Sequence, residues 1–391
     1  MFSSSAAATF LVLGVISSAA WAVFRWRKAQ HAALDPAVSR LYRDITPLRL
    51  DWKSKEQIQN APLKGTYHLT MALQTCSFDE MIDMDKTYMD KVMLRRQILK
   101  SETRTATQAN PVASNAVHEL YEWMFGVYLP QRYPTMFSRL DEKGVLHNIA
   151  LNEYIPLTPP LDPVECLTIL GSHVDTDFLL LLPVADPKAR PTRALPTPNP
   201  AFPYHLHAYV VCFPSGFDMK QKFGLPLAAI HRPVPGYAQK LEKSMDRFFT
   251  TLPFGKVVKR ANWAIQQGPA LFKPSGNHLA TTLKPETMAP PKHEPTEQEL
   301  KEWAEDAEKV VPEECMLRSE RQTLHRLERS GALVFAFKTY LYPLPEVKAA
   351  GLGEDLADSA EGLWKGSVPA MAVYKRGVVW ARKVVEYLRA P

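Results

Sequence analysis

Residues 331–341 read GALVFAFKTYL, and residues 317–327, which lead into them, read LRSERQTLHRL. Leu333, Phe335 and Phe337 fall on one side of an alternating pattern, and this period of two predicts a β-strand with one apolar face. Outward from this strand, further strand and helix patterns mix without the strand–helix–strand rhythm of a parallel sheet. The sequence therefore predicts an α+β fold.

The remaining elements are predicted from hydrophobic spacing and from proline. Apolar runs at 177–184 and 206–213 are typical of strands. The prolines of residues 183–203 exclude a helix or a central strand, so this segment is predicted to be a loop inserted between two strands. A second proline-rich loop is predicted at 284–295. Helices are predicted at residues 77–100, 117–129, 237–252, 296–311 and 371–388, the fourth opening with a capping box.

The composition is that of a globular protein. The chain has 391 residues, of which 46% are hydrophobic and 23% charged, and this length allows one large domain or two. The net charge of +6 comes from scattered residues, without a basic stripe interleaved with aromatics, so no nucleic-acid partner is expected. The four cysteines include no C-x-x-C pair. This spacing excludes zinc and thioredoxin-like sites and favours a reducing compartment.

The N-terminus is predicted to be a membrane anchor. Residues 6–24 read AAATFLVLGVISSAAWAVF without a charge, and about 20 apolar residues cross the hydrocarbon core of a bilayer. Basic residues follow at 25–28, so the positive-inside rule places the rest of the chain in the cytosol. We therefore expect a single-pass protein of the endoplasmic reticulum membrane. A cleaved signal peptide is the alternative, because residues 20–22 fit an A-x-A cleavage pattern.

The usual catalytic signatures are missing from this chain. It has no G-x-G-x-x-G, Walker A, H-E-x-x-H or G-x-S-x-G motif. His205 and His207 would point to one face of a strand and could bind a metal ion, although such a pair is more often a solvated strand end beside a loop.

Polar groups are embedded in proline-fixed, apolar sequence at residues 211–217 and 230–237. Pro233 and Pro235 fix the backbone just after His231, so this histidine is predicted to lie in a rigid turn, where an axial ligand would be held. Residue chemistry alone favours a helix-capping or core-lining histidine over an axial ligand.

Residues 317–327 offer a second candidate site. Arg318 and Arg321 can pair with Glu320 in a structural network, or they can bind the carboxylates of a cofactor, since the guanidinium fork matches carboxylate geometry. Residue chemistry alone favours the structural ion-pair network.

Together these segments resemble the haem-dependent oxidative N-demethylase family. The resemblance rests on motifs in a fixed order: PLKGTYHLTM at 62–71, TDFLLL at 176–181, KFGLPLAAIHRPVPGY at 222–237, VKRANWAI at 258–265 and LRSERQTLHRLERSGA at 317–332. It divides the chain into a signal-anchor (1–28), a connector (29–61), the family domain (62–345) and a C-terminal helical extension (346–391).

The resemblance implies a PAS-like domain with flanking helices that encloses haem b. It also implies O₂ activation at the haem and oxidation of the N-methyl group of a small amine or related metabolite. The chain carries no flavin or iron–sulfur signature, so electrons from NAD(P)H are expected to arrive through a separate flavin and iron–sulfur reductase.

The resemblance also implies roles for individual residues. His231 is expected to be the proximal iron ligand, with Cys212 as a competing thiolate. Charge pairing with the haem propionates is expected of Arg260, Arg318 and Arg321. Asp177 and Trp263 are expected to bind the ammonium group of a substrate. The alternative is that Asp177 caps a strand and that Trp263 is a core residue.

This chain departs from the family pattern at Thr176, His325 and Glu328, where an acid, an arginine and a proline are usual. These departures leave the substrate undefined. The alternatives to an enzyme are a haem-based gas or redox sensor, a haem-binding protein without catalysis, and a scaffold that has lost its haem.

Overall fold

The computed structural model describes residues 44–49, 51–59, 63–183, 204–279 and 295–391. Within these residues the β-strands pair antiparallel and form two sheets. In chain order the strands are β1 (Gln74–Cys76), β2 (Thr107–Ala109), β3 (Phe137–Leu140), β4 (Val145–Asn148), β5 (Glu153–Pro156), β6 (Asp177–Pro183), β7 (Tyr204–Val210), β8 (Val257–Gln267), β9 (Cys315–Arg326) and β10 (Leu333–Pro343).

A seven-stranded sheet forms the centre of the molecule, in the order β1-β8-β9-β10-β6-β7-β2, and β3-β4-β5 form a separate small sheet. The long strands β8, β9 and β10 lie side by side. Gly331 adopts a positive φ of 68° in the turn between β9 and β10, a conformation that glycine reaches without a steric penalty. Phe335 of β10 lies directly opposite Leu324 of β9. Apolar side chains of the two strands therefore share one face of the sheet and form an apolar region there.

Helices pack against this sheet through three hydrophobic clusters. In chain order they are α1 (Tyr88–Ser101), α2 (Thr103–Ala106), α3 (Ser114–Trp123), α4 (Leu129–Arg132), α5 (Pro163–His173), α6 (Leu227–His231), α7 (Tyr237–Lys240), α8 (Glu242–Thr251), α9 (Glu297–Glu308), α10 (Leu344–Ala349), α11 (Gly353–Lys365), α12 (Ala370–Tyr374) and α13 (Gly377–Arg389). A π-helical turn, Met124–Tyr128, joins α3 to α4. Short 3-10 turns occur at Phe78–Glu80, Pro111–Ala113, Asp141–Lys143, Met219–Gln221 and Pro312–Glu314.

The clusters connect different helices to the two faces of the sheet. The first buries α1, α3 and α5 against β6 and β10, with Phe178 and Val334 in the contact. The second packs α8 against β9 and β10. The third packs α11 and α13 against the ends of β8 and β9 around Trp263 and Leu317. Because both faces are covered, the middle strands are almost continuously buried.

The predicted fold class, an α+β PAS-like domain preceded by one transmembrane helix, was wrong. The structure is a mixed α/β architecture built on one large antiparallel sheet. The edge strands β1 and β2 have three residues each, too few for a periodic pattern, so the full width of the sheet could not be predicted.

The prediction of a single-pass membrane protein of the endoplasmic reticulum is corrected as well. Among the residues that the structure describes, no helix combines the length and the apolar character needed to cross a membrane. The segment at 6–24 on which that prediction rested lies outside the described residues.

Candidate functional site

His231 is the last residue of α6, and its ring is held by a hydrogen bond within that short helix. Its Nδ1 lies 2.9 Å from the carbonyl oxygen of Leu227. Because a carbonyl oxygen only accepts, Nδ1 carries the proton and donates it, which leaves the lone pair on Nε2. The imidazole also stacks on Tyr237, with ring centroids 4.9 Å apart. The ring is therefore fixed in the tautomer and orientation that a metal-ligating histidine requires.

His231 forms, together with Lys222 and His278, a group of enclosed but partly accessible basic side chains that we call the recess. All three side chains keep some accessible surface, yet burial lowers the pKa of His231 to about 4, that of Lys222 to about 8 and that of His278 to about 3. Protein surrounds these groups, but they remain partly accessible. The charge of Lys222 also depresses the pKa of both histidines, so the three groups lie near one another.

The recess is rich in positive charge. The ammonium of Lys222 donates to the carbonyl oxygen of Ile230 at 3.1 Å, and burial alone accounts for its lowered pKa. Arg260 has a buried Nε without a hydrogen-bond partner among the described residues, and burial lowers the pKa of its guanidinium. An enclosed cation without an ion-pair partner is unfavourable. The recess thus fits a ligand that supplies carboxylates, and haem b has two.

The central sheet divides the residues predicted for the site between its two faces. Arg260 lies opposite Gln322, Gln322 opposite Phe337, and Phe337 opposite Asp177. Directly opposed residues share a face, and alternation along β9 adds Arg318 to it. Arg321 and Trp263 lie on the other face. Even on the shared face, Arg260 and Asp177 are three strand spacings apart, or about 14 Å.

Asp177 is fully engaged within the protein. Its carboxylate forms a buried ion pair with Arg95, and it accepts the backbone amides of Cys212 at 2.8 Å and Phe213 at 2.9 Å. Arg95 in turn donates to the carbonyl oxygen of Gly171 at 2.8 Å. These contacts join α1, α5, β6 and the chain after β7, so the geometry corresponds to the strand-capping alternative noted from the sequence.

The two arginines of the 317–327 segment also have protein partners. Arg318 is buried and donates to the carbonyl oxygens of Phe213 at 2.7 Å and Leu271 at 3.1 Å and to Gln266 Oε1 at 3.0 Å. Arg321 reaches the carbonyl oxygens of Glu80 and Met81. The charge of Arg260 thus reaches His231 and lowers its pKa, whereas Arg318 and Arg321 bind backbone oxygens of neighbouring segments.

Trp263 is a core residue within β8. It is 5% exposed and makes an edge contact with Trp380, with ring centroids 6.4 Å apart. A cation already lies at its ring, since Lys375 Nζ is 5.3 Å from the ring centroid and donates to the Trp263 carbonyl oxygen.

The competing metal ligands have different surroundings. Cys212 is buried, and burial raises the pKa of its thiol to about 12, which keeps the thiol protonated. The rings of His205 and His207 stack 5.9 Å apart, and His205 Nδ1 donates to the carbonyl oxygen of Gly224. In the described part of the chain, no group of three or more His, Cys, Asp or Glu side chains is placed to hold a metal ion. Haem needs fewer protein ligands than that, because the porphyrin supplies four nitrogens.

Several residues around the recess were not singled out from the sequence. Lys222 lies within one of the quoted motifs but has no local pattern that marks it as enclosed. His278 stacks on Tyr374 with ring centroids 4.5 Å apart, and Lys375 follows directly in the chain. A loop and the C-terminal helices carry these residues. Hydrophobic spacing in the sequence does not indicate that these segments pack near β8.

One family of known proteins matches most of this chain. Residues 72–385 match the family described as haem-dependent oxidative N-demethylase, alpha subunit-like. The match covers most of the chain, and it includes β6, β8, β9 and the segment around His231. It also reaches into the C-terminal helices that supply Tyr374 and Lys375. The chain belongs to the haem-dependent oxidative N-demethylase, alpha subunit-like family.

Proposed function

We propose that this protein is a haem-dependent oxidoreductase that removes an N-methyl group, or oxidises a related position, in a small amine or metabolite. Family membership supports the reaction class. The observation that carries the proposal is the hydrogen bond from His231 Nδ1 to the Leu227 carbonyl oxygen, because it presents Nε2 as a ligand atom beside a cation-rich recess.

The residues present fit haem b. In this proposal His231 Nε2 binds the iron, and Lys222 and Arg260 pair with the propionates. Arg318 and Arg321 remain candidates for a supporting role, since each ties a neighbouring backbone segment to β9. Haem, when bound, supplies the O₂ chemistry, while the protein supplies orientation and electrostatics.

Asp177 and Trp263 are proposed to act through their neighbours. Asp177 holds the amides of Cys212 and Phe213, and Phe213 also accepts from Arg318. Trp263 positions Lys375 through its ring and its carbonyl oxygen. In this role both residues maintain the shape of the recess rather than contact the reacting atoms.

The electrons are proposed to come from NAD(P)H through a separate flavin and iron–sulfur reductase. This part of the proposal rests on the resemblance and on the lack of flavin and iron–sulfur motifs in the sequence.

A spectroscopic and a catalytic measurement test the function together. The purified chain should show a Soret band that shifts on reduction with dithionite and again on addition of CO, in the manner of a histidine-ligated haem. With a surrogate reductase and a panel of N-methylated amines, at least one amine should release formaldehyde and raise NADPH use. If the haem is loaded and reduced but no amine exceeds the uncoupled rate, the demethylase proposal fails and a sensor role takes its place.

A further inference from the structure

Glu320 is a buried carboxylate with one unsatisfied oxygen. The residue is 6% exposed. Its Oε2 accepts a hydrogen bond from Gln322 Nε2 at 2.8 Å, whereas Oε1 is buried without a hydrogen-bond partner in the described part of the chain. Thr339 lies directly opposite Glu320 on β10, and its hydroxyl oxygen is also buried without a hydrogen-bond partner among the described residues. A buried acceptor without a donor is unfavourable, and more so when it is charged, so this position is suited to a ligand that brings N–H groups.

Lys375 supplies a positive charge next to this carboxylate. Its ammonium donates to Asn262 Oδ1 at 3.2 Å and to the Trp263 carbonyl oxygen, and Asn262 lies directly opposite Glu320. An ammonium has three donors, so one remains for a ligand. Glu320 and Lys375 influence each other electrostatically, but within the described residues they do not approach to ion-pair distance of one another.

The surroundings disfavour a ligand that is only a cation. Besides Lys375, the positive charges of Arg260 and Arg318 act on Glu320, so a simple ammonium would be repelled from three directions. A ligand with both an ammonium and a carboxylate avoids this penalty, because each of its charges meets an opposite one. Asn262, which accepts a hydrogen bond from Lys375, is partly accessible.

We propose that Glu320 and Lys375 bind the two charged ends of a zwitterionic N-methylated amino acid, with Glu320 accepting from the ammonium and Lys375 donating to the carboxylate. This inference rests on the proposed function and narrows its substrate class. Glu320 is thereby the residue that orients the N-methyl nitrogen, and Lys375 fixes the opposite end of the same molecule.

Binding to the haem-loaded full chain tests the inference without turnover. Isothermal titration would compare N-methylglycine with its neutral-ended amide, N-methylglycinamide, and with dimethylamine. N-methylglycine should bind at least tenfold more tightly than either probe, since only it carries both charges. Equal affinity for N-methylglycine and dimethylamine in the wild-type protein would overturn the inference, and this comparison requires no variant.

Variants then assign each charge to a residue. Glu320→Gln should weaken binding of both N-methylglycine and dimethylamine about tenfold or more. Lys375→Met should weaken N-methylglycine to a similar degree and leave dimethylamine unchanged or tighter. The exposed Glu314, which precedes β9, provides a control with the same change of charge, and Glu314→Gln should bind all probes as the wild type does. Wild-type affinity for both N-methylglycine and dimethylamine in Glu320→Gln, with the Soret band intact, would overturn the assignment of Glu320 to the ammonium.

The proposed function and this inference fail in different ways. If dimethylamine is demethylated while N-methylglycine neither binds nor reacts, the reaction class stands and the zwitterion site is wrong. If no methylated amine is turned over by the loaded and reduced protein, the reaction class itself is wrong.

Discussion

Individual residues differ in how far their roles could be predicted. His231 could be singled out because two prolines follow it, but its ring orientation depends on a bond to Leu227 that becomes visible only in three dimensions. Asp177 was identified as important, yet its partner Arg95 comes from a helix 82 residues earlier in the chain. Sequence chemistry thus located polar residues in unusual surroundings, whereas their partners were set by long-range contacts that no local pattern encodes.

The first residue-scale prediction concerns the iron ligand. His231→Ala should abolish or strongly reduce haem incorporation, because Nε2 is the ligand atom that α6 presents to the recess. Imidazole added to His231→Gly should restore part of the Soret band, a rescue that a structural histidine would not show. His205→Ala is the matched control, since His205 lies on β7 and its Nδ1 is bound to Gly224. An unperturbed haem spectrum in His231→Ala would refute the assignment.

The second prediction compares the arginines expected to pair with the propionates. Arg260→Ala and Lys222→Ala should each accelerate haem transfer to apomyoglobin about tenfold, since each removes an enclosed charge without a paired carboxylate. Arg321→Ala should have a smaller effect on transfer, because Arg321 donates to backbone oxygens. Haem-transfer rates measured at constant salt concentration test whether the Arg260 and Lys222 variants lose haem faster than the Arg321 variant. Wild-type rates in both Arg260→Ala and Lys222→Ala would contradict it.

A third prediction concerns Asp177 and stability. Asp177→Asn should lower the free energy of unfolding by about 3–5 kcal/mol, because it leaves the buried guanidinium of Arg95 without its counter-charge. The exposed pair of Asp141 and Arg139 is the control, and Asp141→Asn should cost less than about 1 kcal/mol. Urea denaturation of the apoprotein measures both. If the two variants are equally stable, the buried pair has no special structural role.

At the scale of elements, periodicity located the long segments and missed breaks within them. The predicted strand at 331–341 is observed as β10, and the capping box at Thr296 opens α9 as predicted. The strands expected on either side of the first proline-rich loop are β6 and β7, while most of that loop lies outside the described residues. The predicted helix at 371–388 is two helices, because Arg376 between them adopts a positive φ of 58°. Such a break depends on tertiary contacts, and hydrophobic spacing alone does not show it.

The close approach of α11 to the strand-like segment before β1 leads to an element-scale prediction. A Cβ at Gly362 would lie 2.4 Å from the Gly65 carbonyl oxygen, and one at Gly366 would lie 1.6 Å from that of Tyr67. Gly366→Ala should therefore destabilise the protein by about 1–3 kcal/mol, as overpacking does, and displace Tyr67 from beside Lys375. Gly126 is the control, since a Cβ there meets no atom within 4 Å. Thermal unfolding with equal midpoints for Gly366→Ala and Gly126→Ala would contradict the predicted clash.

At the scale of the whole molecule, the breadth of the sheet was the least predictable feature. The strand order of the seven-stranded sheet places β1 and β2, which are near each other in sequence, at opposite edges. The family match nevertheless spans most of the chain, and the C-terminal helices, predicted as an extension, pack on the same sheet through Trp263. Motif order could therefore indicate the family, while the architecture depended on pairings between strands far apart in sequence.

The molecule also encloses several neutral histidines, which makes its stability depend on pH. Burial lowers the pKa of His231 and His173 to about 4 and that of His278 and His325 to about 3, whereas an unfolded histidine titrates near 6.5. Between about pH 6.5 and 4 the unfolded chain therefore binds protons that the folded chain does not, so stability must fall as the pH falls through this window. Each such histidine contributes up to about 1.4 kcal/mol per pH unit.

His325 allows this pH dependence to be tested at one position. It lies between the rings of Phe78 and Trp123, with centroids 5.7 and 5.4 Å away, so His325→Phe keeps an aromatic ring in an aromatic environment. Urea denaturation of the apoprotein from pH 7 to 4.5 should show a steep loss of stability in the wild type. When the free energy of unfolding is plotted against pH, the slope for His325→Phe should be shallower than that of the wild type. The difference should correspond to the uptake of about one proton fewer on unfolding, because the variant has one fewer imidazole to charge. Identical slopes in the two proteins would mean that His325 takes up its proton in the folded state and that burial does not control its titration.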